Sequence, residues 1–238
     1  MSKKYILFWL LFMSLASCDE GRIYNGFAEQ TEEGGAASFS GEVTGTGTWS
    51  AGYTIAIAGF GEDNDYAVIS KNIDTAVTDG KCNVTLSGIP SYVKTIELCA
   101  IDRLRRRIAT FISHDYNLKA DTLHIDAERV DVSMANAIQT EIFNTTCIQC
   151  HGGTGHAAAG LDLIAGNSFG NLISVRARKM PGMDRVSPGK SSESELFMIL
   201  ATDSSAGWNY DHSVEVVRQE KIDLIRNWID HGAITSNY

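Results

Sequence analysis

The sequence predicts an all-β sandwich followed by an all-α domain within a chain of 238 residues. Two observations predict this order. Apolar and polar residues alternate with period two in short runs from Ser38 to Val132, and from Ser133 onward apolar residues recur at helical spacing. A hydrophobic fraction of 44% is ample for ordinary cores, and 22 Gly against 3 Pro suits turns rather than disorder.

The N-terminus reads as an export signal over residues 1–17: Lys3 and Lys4, the apolar run Tyr5 to Met13, then small residues. It is too short and too early for a spanning helix that also carries a folded domain. The segment ends Leu15-Ala16-Ser17-Cys18, which resembles a bacterial lipobox in which the Cys is lipidated and becomes residue one. An ordinary cleavage site with a stray Cys is the alternative. The polar stretch that follows at once favours lipidation, and acyl chains worth about 0.8 kcal/mol per buried CH₂ anchor a protein that otherwise spans nothing. Residues 18–37 are polar, acidic and end in small residues, so they read as a tether, with Tyr24 and Phe27 available for docking. The formal net charge is −9. Loss of Lys3 and Lys4 with the signal makes it more negative, which argues against a nucleic-acid partner.

Residues 38–132 carry the period-two pattern. Phe39 to Val43, Tyr53 to Phe60, Tyr66 to Ser70, Cys82 to Leu86, Thr95 to Asp102, Arg107 to Ser113 and Thr122 to Asp126 are separated by turn signals such as Asp79-Gly80 and Ser87-Gly88-Ile89-Pro90. Short strands at this spacing predict an immunoglobulin-like sandwich. Cys82 and Cys99 flank the turn near Pro90, so a disulfide between paired strands and two buried thiols both remain open. Arg103, Arg105, Arg106 and Arg107 crowd one hairpin tip, read as solvated, with an anion or lipid-headgroup site as the alternative. His114 and His124 belong to this region as strand or surface residues.

Residues 133–238 read as helices. Ser133 opens the first, marked by Ala135, Ala137, Ile138, Ile142 and Phe143. Ser192 and Glu195 have the spacing of a capping box ahead of Leu196, Ile199 and Leu200. A closing helix from about Gln219 to His231 aligns Ile222, Ile225, Trp228 and Ile229, and Gly232 stops it.

At the end of the first of these helices stands Cys147-Ile148-Gln149-Cys150-His151, the C-x-x-C-H haem-attachment signature. The spacing has a mechanical reason: each thiol adds to one porphyrin vinyl group, and the adjacent His is held under the iron as proximal ligand. A redox C-x-x-C would call for a βαβ setting, and half of a zinc site would call for a second ligand pair at metal spacing. The motif therefore predicts one covalently attached haem c on Cys147, Cys150 and His151. Lipid and haem account for three of the five Cys, a usage that fits an exported protein.

With Ile142-Phe143, Gly160-Leu161-Asp162-Leu163, Asn171-Leu172-Ile173, Val186-Ser187-Pro188-Gly189, Ser194-Glu195-Leu196 and Trp228-Ile229-Asp230-His231-Gly232-Ala233 in order around this motif, residues 138–233 resemble the monohaem cytochrome c domains of planctomycete and Bacteroidetes secreted proteins. The resemblance implies an all-α cytochrome c fold, in which Phe143 packs the first helix across the last at Trp228. It also implies a Met-Pro pair as distal ligand upstream of Trp228. Here the chain departs from the family, since Gly207 to Ser213 contains no Met. His212 is the leading candidate for the second metal ligand beside His151. Met180 and Met183 are rivals, and an iron with no sixth protein ligand is a third case. His156 is confined to the proximal edge, His231 sits at the end of the closing helix, and Met198 reads as core. The basic stretch Arg176, Arg178, Lys179 and Arg185 offers cations to the haem propionates, with a solvated loop or a docking patch for an acidic partner as alternatives.

The function expected is that of a membrane-anchored c-type haem protein that carries electrons in the cell envelope, a carrier rather than an enzyme. Its partners would be envelope redox proteins and the membrane itself, through lipid on Cys18. Two alternatives stand beside it: a gas sensor or peroxidase-like enzyme with an open distal site, and a lipoprotein whose β-sandwich does the main binding.

Overall fold

The computed structural model describes residues 34–73, 81–117, 122–203, 207 and 210–235. The signal, Cys18, most of the tether, the Asp79-Gly80 turn and Trp208 lie outside these residues. Seven strands run in chain order: β1 (Gly35–Thr44), β2 (Tyr53–Gly61), β3 (Ile69–Asn72), β4 (Lys81–Ile89), β5 (Val93–Asp102), β6 (Arg107–Asp115) and β7 (Thr122–Asp131). One sheet has the order β4-β1-β7, with β1 antiparallel to β4 and parallel to β7. The other, β3-β2-β5-β6, is antiparallel throughout.

Alternation explains which faces meet. On β4, Cys82, Val84, Leu86 and Ile89 are buried while Lys81, Asn83, Thr85 and Ser87 face out. They join Phe39 of β1, Ile55 and Ile57 of β2 and Ile96 and Leu98 of β5 in one apolar cluster. The opposite side of β2 and β5 is covered as well, because Ala56, Ala58, Phe60, Cys99 and Ile101 form a second, smaller cluster with Ala67. Cys82 and Cys99 therefore lie in different sheets and different clusters, and both are free thiols. A disulfide across paired strands does not exist here.

The arginine-rich hairpin is not simply solvated. Arg107 donates two hydrogen bonds of 2.9 Å to the Glu97 carboxylate and stacks its guanidinium 3.9 Å over the Phe60 ring. Arg106 pairs with Asp102 at 3.2 Å and with Glu220 at 3.5 Å. These are partly buried, charge-assisted contacts that use the cations structurally.

After β7 the chain forms α1 (Met134–Ile138), a π-helical segment (Gln139–Cys147) and α2 (Ile148–His151), one continuous rod. Ser133 caps it, its Oγ accepting from Asn136 N–H at 3.1 Å. Short α3 (Ser168–Leu172) and α4 (Glu195–Ala201) follow, then α5 (Gln219–Asp230). The expected capping box is absent. Ser194, not Ser192, precedes α4, and Glu195 turns inward instead of reaching back to the backbone.

The expectation of an all-α cytochrome c fold after the sandwich is overturned. The described chain is mostly sheet; its helices have 5, 4, 5, 7 and 12 residues, with the π segment adding nine. Most of the stretch from Gly152 to Lys190 is turns, with left-handed glycines such as Gly153 (φ +81°) ending regular structure. Nor do these helices hold a core of their own. Met134, Ile138, Ile142, Phe143, Leu224, Ile225 and Trp228 belong to the same apolar cluster as the strands, and Gly34–Tyr238 forms one compact unit. Direct bonds fasten the parts together. Trp49 Nε1 donates to Val132 O, Met134 N to Thr48 Oγ1 at 2.9 Å, and Asn227 Nδ2 to Tyr53 Oη at 3.0 Å.

Candidate functional site

The rod from α1 to α2 places the C-x-x-C-H string. Residues three and four apart share a face of a helix, so Cys147, Cys150 and His151 project together. Upstream, the hydroxyls of Thr140 and Thr145 donate back to Asn136 O (2.9 Å) and Glu141 O (2.8 Å), a side-chain competition that loosens the α pattern. The wider π turns result, a conformation that occurs often at functional sites. Gln139, almost fully buried, ties this segment down: its amide donates to Leu163 O at 3.0 Å and Asn144 Oδ1 at 2.8 Å, and accepts from Ser168 Oγ.

Cys147, Cys150 and His151 line one wall of a cavity of about 450 Å³, within the usual range for small-molecule and cofactor pockets. Leu161, Ile199 and Leu200 supply apolar lining, and His212 and Tyr210 stand opposite. His151 Nδ1 lies 3.2 Å from Ala158 O and 3.3 Å from Leu161 O. Both partners are acceptors, so Nδ1 donates and Nε2 is the nitrogen left for a ligand bond. The same arrangement orients metal-ligating histidines generally.

The rings of His151 and His212 have centroids 6.5 Å apart and planes inclined by 23°. The rings are stacked and nearly parallel, at a separation of the order spanned by two imidazoles that share one metal through bonds of about 2 Å each. Burial and the neighbouring His151 push the His212 pKa below its ordinary value, against Glu215, Asp211 and a hydrogen bond with the Tyr210 backbone. Its imidazole is thus neutral at neutral pH, the form that binds a metal. Tyr210 packs edge-on at 5.1 Å from His212 and donates its hydroxyl to Glu215. Burial, helped by Glu215 and Cys150, pushes the Cys147 thiol up to about 12.

The basic stretch divides. Arg178, Lys179 and Arg185 reach the cavity wall, whereas Arg176 pairs with Asp184 at 3.2 Å. Met180 and Met183 close a turn on each other through a 3.1 Å backbone hydrogen bond, and neither is among the lining side chains. His156, His231, His114 and His124 are exposed, the last accepting or donating at 2.8 Å with Ser38 Oγ. Phe169 of α3 packs against both Phe143 and Trp228, 5.9 Å from the first ring and 5.3 Å from the second.

Sequence reasoning missed Glu195, Glu215, Gln139 and Phe169 at this site. Glu195 had a signal: it lies four residues before Ile199 and so shares the face that Ile199 turns to the cavity. Among the described residues no group of three His, Cys, Asp or Glu side chains forms a metal site. A haem iron asks the protein for only two ligands, because the porphyrin supplies four.

The residues present fit a covalent haem. Two thiols share a helical face, one imidazole has its outer nitrogen anchored, a second faces it across an apolar cavity, and cations stand at the wall. In comparisons with family models, with curated proteins and with solved structures, nothing matches this chain.

Proposed function

We propose that this chain carries one haem c, which thioethers from Cys147 and Cys150 and the imidazoles of His151 and His212 would hold, and that it transfers single electrons in the cell envelope. The observation that carries this reading is the pair of imidazoles 6.5 Å apart in a cavity that also holds both thiols of the motif. The bound group supplies the one-electron couple. The chain's own residues anchor it, keep water from its faces with Leu161, Ile199 and Leu200, and offset its propionates with Arg178, Lys179 and Arg185. Two imidazoles favour ferric iron more than an imidazole and a thioether do, so the carrier works at the lower end of the potential range.

The test is an absorption and resonance Raman spectrum of the matured protein in both oxidation states. The expected result is low-spin, six-coordinate iron, with no response to carbon monoxide. A vacant sixth position would favour the gas-sensing or peroxidase-like alternative instead, and absence of haem bands would end the reading altogether.

For location, the reading rests on residues 1–18, outside the described region. No helix among the described residues is long and apolar enough to cross a membrane. On this reading lipid on Cys18 is the anchor, and Cys18→Ala should move the protein from the membrane fraction to the soluble one and abolish palmitate labelling. Unchanged fractionation and labelling would show that something else holds it.

A further inference from the structure

Glu195 opens α4 yet is only 8% exposed, and its Oε1 has no hydrogen-bond partner among the described residues. A buried carboxylate oxygen without a donor is costly, because nothing replaces the water it gave up. The side chain lines the same cavity as His151 and His212, beside Ile199 and Leu200. The backbone N–H groups of Lys179 and Met180 and the Arg185 guanidinium lie near enough to favour its charged form. One carboxyl oxygen is thus buried without a donor in the wall of that cavity.

We infer that Glu195 is a proton-accepting site linked to the iron, taking up one proton when the haem is reduced and releasing it on oxidation. The inference rests on the haem reading above. The step balances simply. A one-electron donor protein gives one electron to ferric iron, solvent gives one proton to the Glu195 carboxylate, an O–H bond forms, and ferrous iron and a neutral carboxylic acid result. No other bond changes.

The physical cause is charge. Ferric haem carries one more positive charge than ferrous haem, and in a poorly screened cavity that charge favours the ionised carboxylate. Burial already pushes the Glu195 pKa above the usual carboxylate value, against the pull of the Lys179 and Met180 N–H groups and Arg185. Loss of the iron's charge on reduction raises it further. The other groups facing this space are Arg178, Lys179 and Arg185 from the 176–185 loop, Glu215 and Tyr210 from the segment after α4, and the two axial imidazoles. Glu215 is exposed and already accepts the Tyr210 hydroxyl. Glu195 is the buried carboxyl among them.

The sign follows. Between the pKa of Glu195 with ferric iron and its higher pKa with ferrous iron, reduction takes up a proton, so the potential falls as pH rises. Within that window the limiting dependence is tenfold in the equilibrium constant per pH unit, about 59 mV for one electron. Outside the window the potential is flat.

The experiment is a mediated redox titration of the full matured protein at a series of pH values, with redox-difference infrared spectra of the same samples. The wild type should show the pH-dependent window and a carboxylic-acid C=O band that appears on reduction. Glu195→Gln, which keeps the shape and an acceptor for the two backbone donors, should flatten the dependence, remove the band and raise the potential at high pH. Glu195→Asp should keep the dependence with its window displaced, and it decides the matter if the Gln variant does not take haem. An unchanged window in Glu195→Gln, or an undisplaced one in Glu195→Asp, would assign the proton to a haem propionate and overturn the inference. The wild-type spectrum separates the two failures. Haem bands with a flat potential sink only the role of Glu195, whereas missing haem bands sink the haem reading and this inference with it.

Discussion

Replacing both Cys147 and Cys150 by Ala should abolish covalent haem, the largest effect expected of any substitution in this chain. A thioether cannot form without sulfur, and both sulfurs line the cavity that His151 faces. The measurement is a haem stain after denaturing electrophoresis, in which only covalently bound porphyrin survives. The double variant should lose the band entirely, while either single variant keeps one thioether and a stained band. The rival uses of a C-x-x-C pair give different outcomes. A zinc half-site or a redox dithiol would leave the wild type colourless in the visible range. A dithiol would also require an accessible low-pKa thiol, and burial has instead pushed Cys147 up to about 12. Stain retained in the double variant would remove the motif from the argument.

How much of this was legible depends on what periodicity can report. On β4, alternation of Cys82, Val84 and Leu86 with polar residues names the inward face. It does not name the partner, and so the parallel pairing of β1 with β7 could not be read from it. The same limit explains the overturned all-α expectation. Ile138, Ile142 and Phe143, like Ile222, Ile225 and Trp228, form apolar stripes at helical spacing, and helices do form there. A stripe says that something must cover it, not what. Here the cover includes the strands, and one cluster contains Trp228, Phe143, Ile57 and Leu98 together. Local motifs misled where tertiary demand was stronger. Glu195 has the spacing of a cap with Ser192, but a position on the Ile199 face draws it into the cavity. The cysteines around Pro90 were equidistant from a turn, yet that turn joins strands of two different sheets. The candidate site was the most legible part of the sequence, because three neighbouring residues of restricted chemistry mark it. Its far side depended on His212, which only the fold could bring opposite His151.

His212→Ala is expected to open the sixth position of the iron. In the wild type, low-spin iron in both oxidation states should show no thioether-to-iron band near the red edge. The variant should become high-spin when ferric and bind carbon monoxide stoichiometrically when reduced, a change from no binding to full binding. His212→Met should restore six-coordination and raise the potential, because a thioether favours ferrous iron. The local structure supports the assignment. Asp211 Oδ1 accepts from Ser213 N at 3.0 Å and Ser213 Oγ at 2.7 Å, and this cap fixes the turn over His212–Val214. The ring is held against Tyr210, lies 6.5 Å from its counterpart, and is kept neutral by burial and by His151. Alanine removes the imidazole without touching that cap, so the turn should persist and the loss be read at the iron. The rivals are at a disadvantage, since Met180 and Met183 are engaged in their own turn and neither lines the cavity. A wild type with methionine ligation, unchanged in His212→Ala, would falsify the assignment and move the sixth ligand to one of them. A wild type that already binds carbon monoxide would cut deeper: a simple electron carrier has little use for a vacant site, and gas binding or peroxide chemistry would then be the better account of the cavity.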